Sequence, residues 1–228
     1  MNSHLIALKG VSKVFKIGEE NFPALHDINL EIDSGAFMSF VGPSGSGKTT
    51  LLNLIGGLDI PTAGNIFFRN TKLSSMSRNE MAQYRRENIG FIFQTYNLLP
   101  VYSVYENVLL PLLLNGSKEK DARERVMSIV SKVGLSDQVK KRPPQLSGGQ
   151  CQRVAIARAL VKDPLLILAD EPTANLDSKN SLQILELMSE LNKQYKAAVV
   201  FSTHDEKVTR YIRREVGLED GKIISDIQ

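Results

Sequence analysis

Gly42-Pro43-Ser44-Gly45-Ser46-Gly47-Lys48-Thr49 is the stretch whose reading decides the fold. It matches G-x-x-x-x-G-K-[ST], the phosphate-binding loop known as Walker A. Its three glycines let the backbone curl with the amides turned inward. Joined to the start of a helix, those amides make a site for a polyphosphate. Lys48 would set a point charge between the β- and γ-phosphates, and the Thr49 hydroxyl suits Mg²⁺. The flanks agree with this. Ala36-Phe37-Met38-Ser39-Phe40-Val41 is apolar enough for a buried strand, and Leu51, Leu52, Leu54, Ile55 and Leu58 recur at helical spacing. Strand, loop and helix in that order predict an α/β phosphate-binding core.

Composition narrows the setting. A chain of 228 residues with 42% hydrophobic residues has ample material for one or two globular units. A formal net charge of +3 is too mild for a nucleic-acid binder. The local clusters Arg85-Arg86, Lys140-Lys141-Arg142 and Arg210 with Arg213-Arg214 are expected to be solvated faces, with contact to anionic lipid or a membrane partner as the second reading. A single cysteine, Cys151, excludes an intramolecular disulfide framework and suits a reducing compartment. No stretch approaches the roughly 20 apolar residues that span a bilayer. Leu5-Ile6-Ala7-Leu8 is too short for a secretory signal. The expected location is cytoplasmic.

Residues 5–16 and 25–32 carry short apolar runs between polar turns and predict an antiparallel β layer. Phe15 lies on its strand-like Val11–Phe15 segment. Either it is a core or edge aromatic, or it is a stacking platform for an adenine ring. Gly56-Gly57 should end the first helix, a strand is expected at 65–69 and a charged helix at 77–88. Gln94 then closes the apolar strand Ile89–Phe93, either as a plain terminal residue or as a ligand for Mg²⁺ or water.

From Thr95 to Val161 the pattern turns helical. Tyr105–Leu114 is an apolar segment that Pro111 interrupts, and Ala122, Val126, Ile129, Val130 and Val133 mark a helix that Gly134 should end. Tyr96, Leu98, Leu99, Pro100 and Tyr102 suit either a docking surface or local packing. Ser147-Gly148-Gly149-Gln150 then opens an Ala-rich helix and predicts a second anion site. Cys151 is read as an exposed thiol in that helix's first turn, where a thiol pKa tends to fall.

Leu165–Ala169 reads as a buried strand ending in Asp170 and Glu171. Asp170 fits a Mg²⁺ partner, and Glu171 suits polarising an attacking water. Leu182, Leu185, Met188 and Leu191 mark a covering helix, and the strand Ala197–Ser202 delivers Thr203-His204, whose imidazole is placed to reach a γ-phosphate. His4 and His26 lack such placement. Residues 215–224 read as a β-hairpin.

Taken together, these stretches resemble the ATP-binding cassette ATPases over roughly residues 5–226. Walker A alone leaves GTPases, kinases and helicases open. The Leu146–Gln150 signature between Gln94 and Asp170-Glu171 is what carries the resemblance. It implies a P-loop NTPase core with an antiparallel β layer and an inserted α-helical subdomain, the core spanning 1–94 and 162–228 and the subdomain about 95–161. It implies ATP and Mg²⁺, bound between two copies of the chain, with Gly42, Pro43, Ser44, Gly45, Ser46, Gly47, Lys48, Thr49 and Thr50 facing Ser147, Gly148, Gly149 and Gln150 of the other copy. By the same resemblance Phe15 stacks on adenine and Thr49, Gln94 and Asp170 serve the metal. Glu171 is then the catalytic base, His204 the switch histidine and Asp177 part of the dimer interface. Phe15 departs from the usual tyrosine, and Cys151 from the usual Gln or Glu.

Asn88–Gln94, Asn97–Pro100, Glu106–Val108 and Leu168–Asp177 are similar to one branch, that of lipoprotein-releasing ATPases, macrolide and peptide exporters and the cell-division ATPase. An integral-membrane permease is the implied partner, with the chain peripheral on the inner face of the membrane. A regulatory ATPase acting through its permease on a cell-wall hydrolase is the alternative. A soluble ATPase of DNA repair or translation is disfavoured, because the chain carries neither a coiled-coil insert nor a second cassette.

Overall fold

The computed structural model describes residues 4–204 and 212–228. The N-terminal layer begins with β1 (Ile6–Ile17) and β2 (Glu20–Ile32), an antiparallel pair burying Ile6, Leu8 and Val11 beside Leu25, Ile28 and Ile32. β2 starts five residues before the predicted strand, and Pro23 lies within it. That is permitted because β2 is the edge of its sheet, where a missing amide costs no ladder bond. β4 (Ala63–Phe68) pairs antiparallel with β1, and β5 (Thr71–Lys72) pairs with β4, completing the order β2-β1-β4-β5.

The second sheet is built from β3 (Phe37–Val41), β6 (Ile89–Ile92), β7 (Leu166–Ala169), β8 (Ala198–Thr203), β9 (Arg214–Glu219) and β10 (Lys222–Ile227). Its order among the described residues is β10-β9-β3-β8-β7-β6, parallel throughout except for β10. The expected hairpin is β9–β10, turning through Asp220 (φ 44°) and Gly221 (φ 72°), as a two-residue turn with positive φ requires. Its first strand also lies parallel to β3. The central strands of this sheet are covered on both faces, so β6, β7 and β8 are near-continuous apolar runs, whereas β10 at the edge is largely exposed. Ile167, Ala169, Val199 and Phe201 enter one core cluster, while Leu166, Leu168, Ala198 and Val200 enter the other.

Helix α1 (Lys48–Ile55) joins the cluster shared with the antiparallel layer. The outer helices are α2 (Arg78–Asn88), α3 (Val104–Leu114), α4 (Glu119–Lys132), α5 (Gly148–Leu160) and α6 (Ser178–Tyr195). Capping boxes at Ser77/Glu80, Ser103/Glu106 and Ser147/Gln150 fix three of their starts. Pro111 does not interrupt α3 as expected. It stands in the last turn, where the amide it lacks would have served a single carbonyl. On α6 the expected Leu185, Met188 and Leu191 are buried, joined by Ile184 and Leu187, while Leu182 alone of the four expected residues lies outside. No helix among the described residues is long and apolar enough to cross a membrane.

The basic clusters are only partly solvated faces. Arg85 donates to the Gly57 carbonyl at 2.7 Å, and Arg214 forks onto Asp226 at 2.8 and 2.7 Å. Arg213 contacts Asn192 Oδ1, while Arg210 lies outside the described residues. Cys151 is buried rather than exposed, its Sγ 3.6 Å from the Pro143 carbonyl, and burial pushes its thiol pKa up. The helix-end effect expected from sequence is outweighed by that desolvation.

Candidate active site

The parallel strands place their C-terminal ends along one edge of the sheet, the position where open α/β sheets bind ligands. Val41 of β3 is level with Thr203 of β8, Phe201 of β8 with Ala169 of β7, and Ala169 with Ile92 of β6. The loop after Val41, the acids after Ala169, His204 and Gln94 all leave the sheet at this edge.

Two glycines shape the loop. A Cβ on Gly42 would lie 2.0 Å from the Leu218 carbonyl oxygen of β9. Gly47 caps α1 in the left-handed region (φ 101°), and a Cβ there would meet the Ala24 carbonyl of β2 at 2.7 Å. The loop is thus held between the antiparallel layer and the final hairpin, whose Gly221 donates to the Ser46 carbonyl at 3.1 Å. Lys48 is 5% exposed, with Nζ donating to the Gly42 and Pro43 carbonyls at 2.8 and 2.7 Å. Burial pulls its ammonium below the usual lysine range, and the carboxylates of Glu171 and Asp170 oppose that shift. Pro43, Ser44, Gly45 and Thr49 are exposed around it.

Thr49 Oγ1 lies 2.9 and 3.0 Å from the two carboxylate oxygens of Asp170, although 121 residues separate them in sequence. This is an all-oxygen pair, the ligand chemistry Mg²⁺ takes alongside water and phosphate. Among the described residues no cluster of three or more His, Cys, Asp or Glu forms a protein-only cage, so the remaining ligands would come from a substrate and solvent. Glu171 has φ 44°, a left-handed conformation that costs a non-glycine residue about 1–3 kcal/mol. His204 Nδ1 lies 3.1 Å from Glu171 Oε1. Thr49, Asp170, Glu171 and His204 are therefore one cluster.

Gln94 is exposed one strand further out, at the end of β6, and its carbonyl accepts from Asn175 Nδ2 at 2.8 Å. Phe15 is 39% exposed, cross-strand from the exposed Phe22, with Lys13 Nζ 4.9 Å from its ring centroid. Ser147–Gln150 are not beside the loop. A Cβ on Gly148 would meet Tyr96 Oη at 3.0 Å and Leu176 Cδ2 at 3.5 Å, and one on Gly149 would meet Asn180 at 3.3 Å. Asp177 caps α6, accepting from Asn180 N at 2.8 Å, and that bond holds its carboxyl below the usual range.

The profile of the family described as ABC transporter matches residues 25–174. The chain belongs to the ABC transporter family. It is 46% identical over 222 residues to the ABC transporter ATP-binding protein YvrO of Bacillus subtilis, covering 97% of this chain and 96% of that one. It is 43% identical over 226 residues to the macrolide export ATP-binding/permease protein MacB of Burkholderia pseudomallei, covering 99% of this chain and 34% of MacB. Among solved structures it is similar to the ATP-binding cassette MJ0796 in a dimeric post-hydrolysis state bound to ADP and Pi. That match has a TM-score of 0.90 and 43% identity, and covers 98% of both chains. As an ABC-type ATPase, this chain hydrolyses ATP.

Sequence reasoning missed one residue that the structure adds to this cluster. Ser202, fully buried in β8, donates its hydroxyl proton to Asp170 Oδ1 at 2.7 Å and accepts the Glu171 amide at 2.8 Å. In sequence it is one polar residue at the end of an apolar strand, and no local signal shows that β8 lies between β3 and β7.

Proposed function

We propose that this ATPase drives an integral-membrane permease in lipoprotein release or in macrolide or peptide export, as a homodimer peripheral on the inner face of the membrane. The observation that carries the reading is the contact of Thr49 with Asp170, and of Glu171 with His204, at the mouth of the loop. In this assignment the amides of residues 42–50 and Lys48 hold the phosphates of ATP. Thr49, Asp170 and Gln94 would hold Mg²⁺, which would supply neutralisation of the phosphate charge. Glu171 polarises the attacking water and His204 keeps its carboxylate oriented. Phe15 offers its exposed face to adenine.

Ser147, Gly148, Gly149 and Gln150 complete the site of a second copy. Within one chain they face Tyr96, Leu176 and Asn180 rather than the loop, which supports that placement. We assign residues 1–94 and 162–228 to the nucleotide-binding core, and about 95–161 to the helical subdomain that meets the permease. Exposed Leu99, Val101, Tyr102, Leu113 and Leu114 support that contact. So does the match to MacB, an ATP-binding/permease protein. The branch-specific strings leave a regulatory role through a permease as the second reading, with the same ATP chemistry.

The test is Glu171→Gln. ATP turnover should fall about 100-fold or more, while the variant accumulates as an ATP-bound dimer in size-exclusion chromatography. Turnover at the wild-type rate would refute the role given to Glu171. Permease co-purification then separates transport from regulation by what the permease carries.

A further inference from the structure

Asp170 is the last residue whose amide follows the ladder of its strand, donating to the Ile92 carbonyl of β6 at 2.9 Å. Successive amides in a strand point to opposite sides, so the next one, that of Glu171, turns toward β8. There the left-handed backbone of Glu171 takes it off the ladder, and the acceptor it finds is the Ser202 hydroxyl at 2.8 Å rather than a backbone carbonyl. A serine hydroxyl has one proton, and Ser202 gives it to Asp170 Oδ1 at 2.7 Å. The chain of bonds therefore runs one way, from the backbone of Glu171, through a side chain with 0% exposure, to the carboxylate that also holds Thr49. Hydrogen bonds in such a chain polarise and strengthen one another in a low-dielectric interior.

We infer that Ser202 is a positioning residue for hydrolysis: its hydroxyl sets the direction of the Asp170 carboxylate and pins the strained backbone of Glu171, tying the metal-side acid to the water-side acid. This rests on the assignment of those two acids to the nucleotide site. A group that holds a metal-ligating carboxylate is worth about 10–100-fold in metal affinity when removed. Ser39 on the neighbouring strand β3 supplies a matched control. It is equally buried, level with Phe201 of β8, and its hydroxyl has no partner among the described residues.

The experiment compares wild type, Ser202→Ala, Ser202→Thr, Ser39→Ala and Glu171→Gln. Equilibrium binding of a fluorescent ADP is titrated with Mg²⁺, and kcat and KM for ATP and the melting temperature are measured on the same preparations. Ser202→Ala should raise the Mg²⁺ midpoint and lower kcat, each by about ten-fold. Its KM should move less, because the loop and Lys48 are untouched. Ser202→Thr restores both quantities, and Ser39→Ala leaves both at wild-type values. The inference is overturned if Ser202→Ala keeps the wild-type midpoint and kcat, or if it loses them only in proportion to its folded fraction. It is equally overturned if Ser202→Thr is as impaired as the alanine variant. Failure of the underlying assignment looks different: Glu171→Gln then hydrolyses ATP like wild type, whatever Ser202 does.

Discussion

Replacing Asn107 by leucine should loosen the loop that leads from Gln94 into α3. Asn107 has 0% exposure, and its side-chain amide is the only polar group the buried face of α3 presents to residues 99–103 among the described residues. Oδ1 accepts from Leu99 N at 2.9 Å. Nδ2 faces the carbonyls of Leu99, Tyr102 and Ser103 at 3.1, 3.0 and 3.0 Å. An amide nitrogen has two protons, so three carbonyls share them and the group is worth three full bonds. At about 1 kcal/mol net per bond the loss is about 3 kcal/mol. Burial of the added methyl groups returns on the order of 1 kcal/mol. The expected net cost is about 2 kcal/mol, a fall of about 4–8 °C in melting temperature for a chain of this size. Asn107→Asp should fall further at neutral pH, since it turns the donating nitrogen into an oxygen facing three carbonyls. Urea denaturation of the two variants beside wild type is the assay. A leucine variant as stable as wild type, or an aspartate variant more stable than the leucine one, would refute this account of the loop.

Three other outcomes are expected. Ser147→Arg should block hydrolysis while ATP still binds the same chain, measured by equilibrium binding beside phosphate release; loss of binding would count against a site shared between two copies. Lys162 donates to the Arg85 and Arg86 carbonyls at 3.0 and 2.7 Å, yet burial pulls its ammonium from 10.5 down to about 8. Between those values the unfolded chain holds the extra proton, so this residue's contribution to stability rises with pH. The urea midpoint of wild type relative to Lys162→Met should therefore improve from pH 7.5 to 10, and a constant difference would contradict the shift. Cys151, buried with its thiol pKa pushed up, should react with a disulfide reagent at neutral pH at least about ten-fold more slowly in the folded chain than in urea. Equal rates would place the thiol at the surface.

Much of the fold is legible locally. Ser77, Ser103 and Ser147, each followed three residues later by Glu or Gln, announce helix starts because a capping box is a contact within one turn. The Asp220-Gly221 turn and the left-handed Gly134 after α4 are legible for the same reason, since both depend on backbone sterics at single residues. Other features departed from the expectations because a contact outside the local pattern decided them. Pro23 fits a strand because β2 is an edge. Leu182 stays outside the face that Leu185, Met188 and Leu191 bury, and Cys151 is covered by the Pro143 segment that precedes its helix.

The sequence by itself determined the phosphate loop, the identity of the acids that follow β7, the histidine that follows β8 and the membership of a family, because each is a short string whose chemistry is local. Only the tertiary structure decided that chain order β3, β6, β7, β8 becomes spatial order β3-β8-β7-β6. Strand order is set by which apolar faces bury together across the whole molecule, and no window of sequence contains that information. It is this order that brings Thr49 to Asp170 across 121 residues and slips Ser202 between the two acids. The loop at Gly42–Thr49 was readable at once, and the company it keeps was not.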